Sequence, residues 1–431
     1  MKATAEKVIC PSSTPKQLFP AIAQEPGSVW LDSSLQIGDK GRYSFIARRP
    51  VLEISANELN LDDGLRELER LWSVGNLFSV GYISYEAVLP LMGVNSFKLG
   101  QSALPLLRFL FYESALGFDH VSGRLAATNP QADDYSDLFD SFDDLKKDFF
   151  QGPVDVSPSV SKTEYLEHVG AIKEHIREGD IYQANYTCRF EIDSRSNPFE
   201  VYQRLRHLNP APYSAYLNFG NFQIISSSPE RMFKKNGTAI TSCPIKGTVK
   251  SGASGAEREI QRQKLLDSSK DKAELLMIVD LMRNDLGKIA QTGAVQVNNL
   301  FATEDYSSLI HLVTDVSAAL KPKTTYSEIF SALMPGGSIT GAPKRRAIEI
   351  LQEQEATPRG VYTGCIGYIH GDLADFNIAI RTIVHQDGQY RVHAGGGIVA
   401  DSDPEKEYQE MQLKAANLFI ALGAKQDIYN A

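Results

Sequence analysis

Cysteine is scarce in this sequence: Cys10, Cys188, Cys243 and Cys365 stand far apart among 431 residues, with no CxxC pair. A disulfide framework is thereby excluded, and reduced thiols of a cytoplasmic protein are predicted. Long apolar runs are lacking as well. The most apolar stretch, Leu77 to Val94, is broken by Glu86, two glycines and a proline, and Met1 to Pro11 carries Lys2, Glu6 and Lys7 without an apolar core. Neither a membrane span nor a signal peptide is predicted. Positive charge is in deficit, with 44 Lys and Arg against 53 Asp and Glu and a net charge of −9. Nucleic acid and anionic membrane are excluded as main partners, because both reward clustered cations, while a small anionic substrate in a locally positive site stays open.

What is present is ordinary globular material, 42% hydrophobic and 23% charged, long enough for two or three domains or one large unit with a smaller lobe. Short β-branched runs at Val29–Leu31, Tyr43–Ile46, Val51–Ile54, Val80–Ser84 and Leu106–Tyr112 predict strands around a helix at Asp62–Leu71. An aspartate-rich stretch from Asn129 to Pro158 predicts a solvated acidic helix and linker, placing a lobe boundary between residues 1–158 and 159–431. Ser161 and Glu164 then have capping-box spacing and open a helix. Beyond it, strands are predicted at Tyr182–Ile192, Tyr213–Phe219, Phe222–Ser227, Met232–Lys235, Val295–Asn298, Val361–His370, Asp375–Val384 and Tyr390–His393. Helices are predicted at Phe199–Leu208, Ala256–Leu266, Asp271–Leu286, Thr325–Leu333, Pro343–Gln354 and Pro404–Leu422. The mixed order argues for an α+β fold with large mixed or antiparallel sheets flanked by helices, not a Rossmann fold or a TIM barrel.

Several residues can carry chemistry. Asp271 and Glu274 are spaced i, i+3, and Glu407, Glu410 and Lys414 follow i, i+3, i+7, so each set occupies one helical face. Facing one cavity, these carboxylates suit Mg²⁺; otherwise they are solvated faces. Gly395, Gly396 and Gly397 follow a strand and either let backbone amides approach a carboxylate or make a tight turn. Lys246 sits in Pro-Ile-Lys-Gly-Thr at a strand–loop edge, where a desolvated amine can act as a nucleophile, or an ordinary lysine can face solvent. Arg381, in an apolar run, needs an anionic partner, either a substrate carboxylate or a structural one. His311, in the apolar Leu309–Val313, is by itself more simply a core histidine.

The order of SSSPERMF, PIKGT, DKAELLMIVDLMRNDLG, LIHLV, PGGSITGAPK, RGVYTGCIGYI, FNIAIRT and GGGIVADSDPEKEYQE over about Ser161 to Leu422 resembles the chorismate-utilising enzymes. The resemblance implies an anthranilate synthase component I-like fold and Mg²⁺ held by Glu274 and Glu410, with Asp271 and Glu407 in support. It implies substrate contacts from Thr340, Tyr362, Arg381, Lys414 and the backbone of Gly395 to Gly397. His311 matches the histidine beside the C4 hydroxyl of chorismate, and Glu230 the general acid that helps it leave. Lys246 distinguishes members of the family: the PIKGT form resembles the aminodeoxychorismate synthases, whose lysine attacks C2 before ammonia attacks C4, whereas anthranilate synthases carry alanine there. Gln183 stands where the water-using members have a lysine base, and glutamine is no base.

Leu275 departs from both subfamilies, which usually have histidine or asparagine after the metal glutamate. Leu31, Asp32 and Ser33, together with Asn209 to Tyr213 and so Pro212 and Tyr213, match segments that line a tryptophan pocket in relatives. No nucleophile elbow or cysteine motif of a glutamine amidotransferase is visible, so the implied partner is a separate glutaminase subunit supplying ammonia.

Overall fold

The computed structural model describes residues 13–94, 96, 98–132, 135–139, 154–252, 254–306 and 309–424. Before residue 160 the chain forms α1 (Pro15–Leu18), β1 (Val29–Asp32), β2 (Tyr43–Ala47), β3 (Leu52–Ala56), α2 (Leu61–Val74), β4 (Phe78–Ile83), β5 (Leu107–Tyr112), β6 (Leu116–Asp119), β7 (Arg124–Ala127) and β8 (Asp155–Pro158). There follow α3 (Lys162–Arg177), β9 (Gln183–Asp193), α4 (Pro198–Leu208), β10 (Tyr213–Asn218), β11 (Phe222–Ser228), β12 (Arg231–Asn236), β13 (Ala239–Cys243), β14 (Ile245–Lys250), α5 (Gly255–Asp267) and α6 (Ser269–Ile289). The remainder is β15 (Gln296–Asp305), β16 (Leu309–Ala319), α7 (Tyr326–Leu333), β17 (Gly341–Ala342), α8 (Lys344–Gln354), β18 (Cys365–His370), β19 (Leu373–Ile378), β20 (Thr382–Gln386), β21 (Gln389–Ile398) and α9 (Pro404–Ala421).

The architecture is α+β. One sheet runs β17-β9-β21-β20-β11-β10-β1-β2-β6-β7 with β8 on β9, and the other runs β14-β16-β13-β12-β19-β18-β4-β5-β3 with β15 on β16. Every pairing within them is antiparallel. The sheets pack face to face over a seam that includes Val29, Phe78, Tyr82, Leu217, Ile224 and Ile366. Outside it, α2, α6 and α7 cover the second sheet, while α3, α4 and α9 cover the first. The result is helix, sheet, sheet, helix, with apolar residues removed from water at three levels.

Local rules account for the helix starts that position the site. Ser161 accepts from the Glu164 amide while the Glu164 carboxylate accepts from the Ser161 amide, so the capping box forms. Ser268 caps α6, accepting from the Asp271 amide at 3.2 Å. Asp403 caps α9 ahead of Pro404, whose fixed φ and missing N–H suit the first helical turn.

Four expectations change. The boundary at 158 falls at the end of β8, which pairs with β9, and both sheets draw strands from either side of it. The acidic helix expected from Asn129 lies largely outside the described residues; 136–139 form a single 3₁₀ turn. The Asp375–Val384 run divides into β19 and β20, because the backbone at Arg381 turns through φ 50°. The glycine triplet is neither turn nor loop: β21 continues through Ile398, with Gly395 opposite Thr187 and Gly397 opposite Asn185. The described cysteines, Cys188, Cys243 and Cys365, are free and buried. Among the described residues no helix is long and apolar enough to cross a membrane.

Candidate active site

Lys246 lies on β14, beside Gly247 at φ +72°. A Cβ on Gly247 would stand 3.0 Å from Asp271 Oδ1, so glycine is needed both for the turn of the backbone and for the approach of α6. Burial holds the Lys246 amine below its ordinary pKa; the Glu274 carboxylate opposes this, Lys414 adds to it, and Glu230 and Glu410 oppose it further. Charged groups from α6, α9 and the β11–β12 turn thus all act on one amine.

Glu230 is buried, and burial pushes its carboxyl up to about 7 despite a hydrogen bond of 2.8 Å from Ser338 Oγ to Oε1 and the nearby Lys246. An acid of this kind is held near neutrality, where it can give or take a proton. Across from it, β21 supplies a floor without side chains. A Cβ on Gly397 would lie 3.0 Å from Gln183 Nε2 and 3.5 Å from Lys246 Nζ; one on Gly396 would lie 3.2 Å from Glu407 Oε2 and 3.6 Å from Lys414 Nζ. Without side chains here, the strand lets the ends of Gln183, Lys246, Glu407 and Lys414 come up against its backbone.

Of the four carboxylates, Glu274 of α6 and Glu410 of α9 act on the Lys246 amine, while Asp271 approaches Gly247 and Glu407 approaches Gly396. Lys414 Nζ bridges Glu410 Oε1 at 2.8 Å and the Gly395 carbonyl at 3.0 Å, and it holds Glu410 below the usual carboxylate range. Burial raises Glu407, which accepts from Ser402 Oγ at 2.6 Å and feels the like charge of Glu410. Glu274 lies 3.9 Å from Lys270. Among the described residues, three potential ligands approach one coordination sphere at His175, Glu178 and Asp180 instead, and there Asp180 is already paired with Arg346 at 2.9 Å. The donor set of α6 and α9 fits a hard cation that keeps water and substrate oxygens in its shell, which needs only one or two protein carboxylates.

The remaining expected residues divide by geometry. His311 Nδ1 meets Thr248 Oγ1 at 2.8 Å, and its buried Nε2 has no partner among the described residues. Burial, helped by Arg381, holds this imidazole neutral, down to about 3. Arg381 pairs with Asn209 Oδ1 at 2.6 Å, a neutral partner that leaves its charge uncompensated. Tyr362 is buried, which raises its hydroxyl to about 12, and its ring stacks on His393 at 5.2 Å. Thr340 Oγ1 donates to the Gly336 carbonyl at 2.9 Å, so its hydroxyl has only acceptor capacity left. Sequence pattern passed over Ser338 and Thr248 and marked Gln183 only as a residue that is not a base. Gln183 is buried with both amide atoms unpartnered among the described residues, a contradiction of ordinary satisfaction that no periodicity reveals.

Leu31, Asp32, Ser33, Pro212 and Tyr213 also come together, where the end of β1 meets the start of β10. Ser33 Oγ reaches the Tyr43 and Pro212 carbonyls. Asp32, however, accepts from Tyr202 at 2.9 Å and from Arg206 at 2.5 Å, so its carboxylate is already engaged.

Residues 15–419 match the family described as chorismate binding enzyme. Anthranilate synthase component 1 of Acetivibrio thermocellus is 33% identical over 466 residues, covering 96% of this chain and 94% of that protein. Aminodeoxychorismate synthase component 1 of Bacillus subtilis (strain 168) is 34% identical over 365 residues, covering 81% and 77%. Among solved structures, anthranilate synthase component I from Streptococcus pneumoniae TIGR4 superposes with a TM-score of 0.76 at 28% identity, over 89% of this chain and 93% of that one.

Proposed function

Since the chain belongs to the chorismate-binding enzymes, we propose that it is an aminodeoxychorismate synthase component I, aminating chorismate at C4 with ammonia to give 4-amino-4-deoxychorismate. The observation that carries this reading is Lys246: a lysine amine held below its ordinary pKa, against the side-chain-free backbone of Gly397 and within the field of Glu230, Glu274 and Glu410.

In this reading Arg381 and Tyr362 hold the substrate carboxylates, and His311 presents its unpartnered Nε2 to the C4 hydroxyl. The neutral Lys246 amine forms a bond to C2 as the C4–O bond breaks, and Glu230 gives its proton so that water leaves. Ammonia then forms the C4–N bond while the C2–N bond to Lys246 breaks. The surplus proton of the new ammonium returns to Glu230, which restores both residues and keeps the enolpyruvyl ether. The unpartnered Gln183 amide oxygen is an acceptor for the incoming ammonia. Glu274 and Glu410 would hold Mg²⁺, with Asp271 and Glu407 supporting them, and when bound it would supply positive charge against the substrate's ring carboxylate. Ammonia comes from a separate glutaminase subunit, for which ammonium substitutes in vitro.

Incubating the pure chain with chorismate, Mg²⁺ and ammonium, and identifying the product, tests the assignment. The expected product is 4-amino-4-deoxychorismate without pyruvate. The second reading, formation of anthranilate with release of pyruvate, is favoured by the names of relatives such as that of Acetivibrio thermocellus, and pyruvate in step with turnover would establish it instead.

A further inference from the structure

A cavity of about 230 Å³ is lined by Tyr362 and by residues of β9, β20 and β21, and neither Lys246 nor Glu230 nor the α6 and α9 carboxylates line it. Its floor is the face of β9, β20 and β21 turned toward the seam between the sheets, opposite the face that α3, α4 and α9 cover. Side chains two apart on a strand share a face, so Arg391 and His393 point the same way, opposite Glu191 and Arg189 of β9 and beside Val384 of β20. Arg359 is part of its wall. Its guanidinium is tied to Glu355, to the Ile339 carbonyl at 2.9 Å and to the Asn185 carbonyl at 2.6 Å, so it forms a wall and has no donor to spare.

Among the described residues the charge does not close. Arg189 pairs with Glu191 at 2.8 Å and Arg359 with Glu355 at 2.6 Å, but Arg391 has there one neutral partner, Gln386 Oε1 at 3.1 Å. Three guanidiniums against two carboxylates leave one positive charge. Two buried nitrogens on this face, Arg189 Nε and His393 Nε2, also lack partners among the described residues. Leaving such groups unmatched costs free energy that a ligand returns. Burial and the three arginines together keep His393 neutral, down to about 3.

The shape selects among anions. Leu104, Val361 and Val384 line the walls, and the rings of Tyr362 and His393, 10° from parallel, present a flat aromatic surface. The volume lies below the roughly 300 Å³ at which drug-sized pockets begin. We infer that this cavity is a second ligand site, built for a small planar aromatic monocarboxylate whose carboxylate meets Arg391 and Arg189 and whose ring packs against the apolar walls. Because Tyr362 lines this cavity and in the reading above also holds substrate, while Lys246 and Glu230 do not line it, the occupant acts as an effector and not as a reactant. The inference rests on the cavity and holds whichever reaction the Lys246 site performs.

Calorimetric titration of the full chain with benzoate, without chorismate, reads the site directly. Binding is expected in the millimolar range or tighter, weakened about tenfold in Arg391→Gln, the loss of one charge-assisted contact worth about 1.4 kcal/mol. Arg391→Lys should keep most of it, and Val384→Asp, which puts a like charge in the cavity, should abolish it; circular dichroism checks that each variant is folded. Arg381→Gln, on the substrate side, should leave benzoate affinity unchanged. Absence of binding at millimolar benzoate, equal affinity in Arg391→Gln, loss in Arg381→Gln, or inorganic phosphate binding as tightly as benzoate would each overturn the assignment.

Discussion

Glu230 carries a pH dependence whose sign follows from its surroundings. Burial raises its carboxyl from 4.5 to about 7, so the proton is held in the folded chain over a range where the unfolded chain has lost it. Its contribution to stability is fully present below about pH 4.5 and is lost as the pH rises through about 7. If it protonates the leaving hydroxyl as proposed, it should also set an alkaline limb in kcat near pH 7. Glu230→Gln should lower kcat by about 10²- to 10⁴-fold and erase that limb; a kcat–pH profile that keeps the limb assigns it to another group. Lys246 has the complementary need. An ordinary lysine is only about 0.04% neutral at pH 7, and the lowering that burial imposes is what the proposed attack at C2 would require. Lys246→Ala should therefore form no adduct on its tryptic peptide with a slow chorismate analogue, and aminodeoxychorismate formation should nearly vanish. An adduct of undiminished yield in Lys246→Ala would remove the covalent step. Both residues are legible in the sequence, since motif order alone singles them out. The unpartnered amide of Gln183 and the Ser338 contact to Glu230 are not, because satisfaction of a side chain depends on neighbours far away in sequence.

Helices α6 and α9 were readable from caps and spacing, down to the shared faces of their carboxylates, because those signals are local. Strand β21 was not. Three consecutive glycines signal a turn to any local rule, yet here they continue a strand because β9 lies too close for side chains. The glycines are not equivalent. A Cβ on Gly395 would meet the Tyr186 carbonyl at 2.2 Å, a backbone atom that cannot move without breaking the pairing, whereas a Cβ on Gly397 meets the ends of Gln183 and Lys246. Gly395→Ala should accordingly destabilise the fold by about 1–3 kcal/mol. Gly397→Ala should leave the melting temperature nearly unchanged and reduce kcat on the order of a hundredfold, through displaced reacting groups. Equal thermal loss in the two variants would contradict this division. At the other end of the site, Ser268 caps α6 nearly two turns before Glu274. Ser268→Ala should cost about 1 kcal/mol, and if α6 presents a Mg²⁺ ligand the same change should raise the Mg²⁺ concentration needed for half-maximal activity. Unaltered Mg²⁺ dependence in a measurably destabilised variant would detach α6 from the metal.

The whole molecule departs furthest from what its sequence suggests, for a physical reason: composition marks a linker before Pro158, while strand order is set by pairings hundreds of residues apart. Strand β10 pairs with β1, and β18 with β4, so neither sheet belongs to one half of the chain. The tie reaches the active site through Glu86, a buried carboxylate that accepts from the amides of Arg359 at 2.7 Å and Gly360 at 3.0 Å, while Arg359 lies 4.5 Å above the Tyr85 ring. Arg359 in turn holds the Ile339 and Asn185 carbonyls, and Asn185 faces Gly397 across the β9–β21 pair. The early half of the chain thus supports the backbone on which the proposed chemistry depends. A fragment of residues 159–431 would expose β10 and β18 as open edges, strip the inter-sheet seam of Val29, Phe78 and Tyr82, and leave the Arg359 and Gly360 amides without their acceptor. It should aggregate or remain unfolded by circular dichroism, and co-expression with residues 1–158 should recover soluble, Mg²⁺-dependent activity. A monomeric 159–431 fragment that unfolds cooperatively and turns over chorismate would show that the second half is a domain in its own right and that the contacts through Glu86 are dispensable.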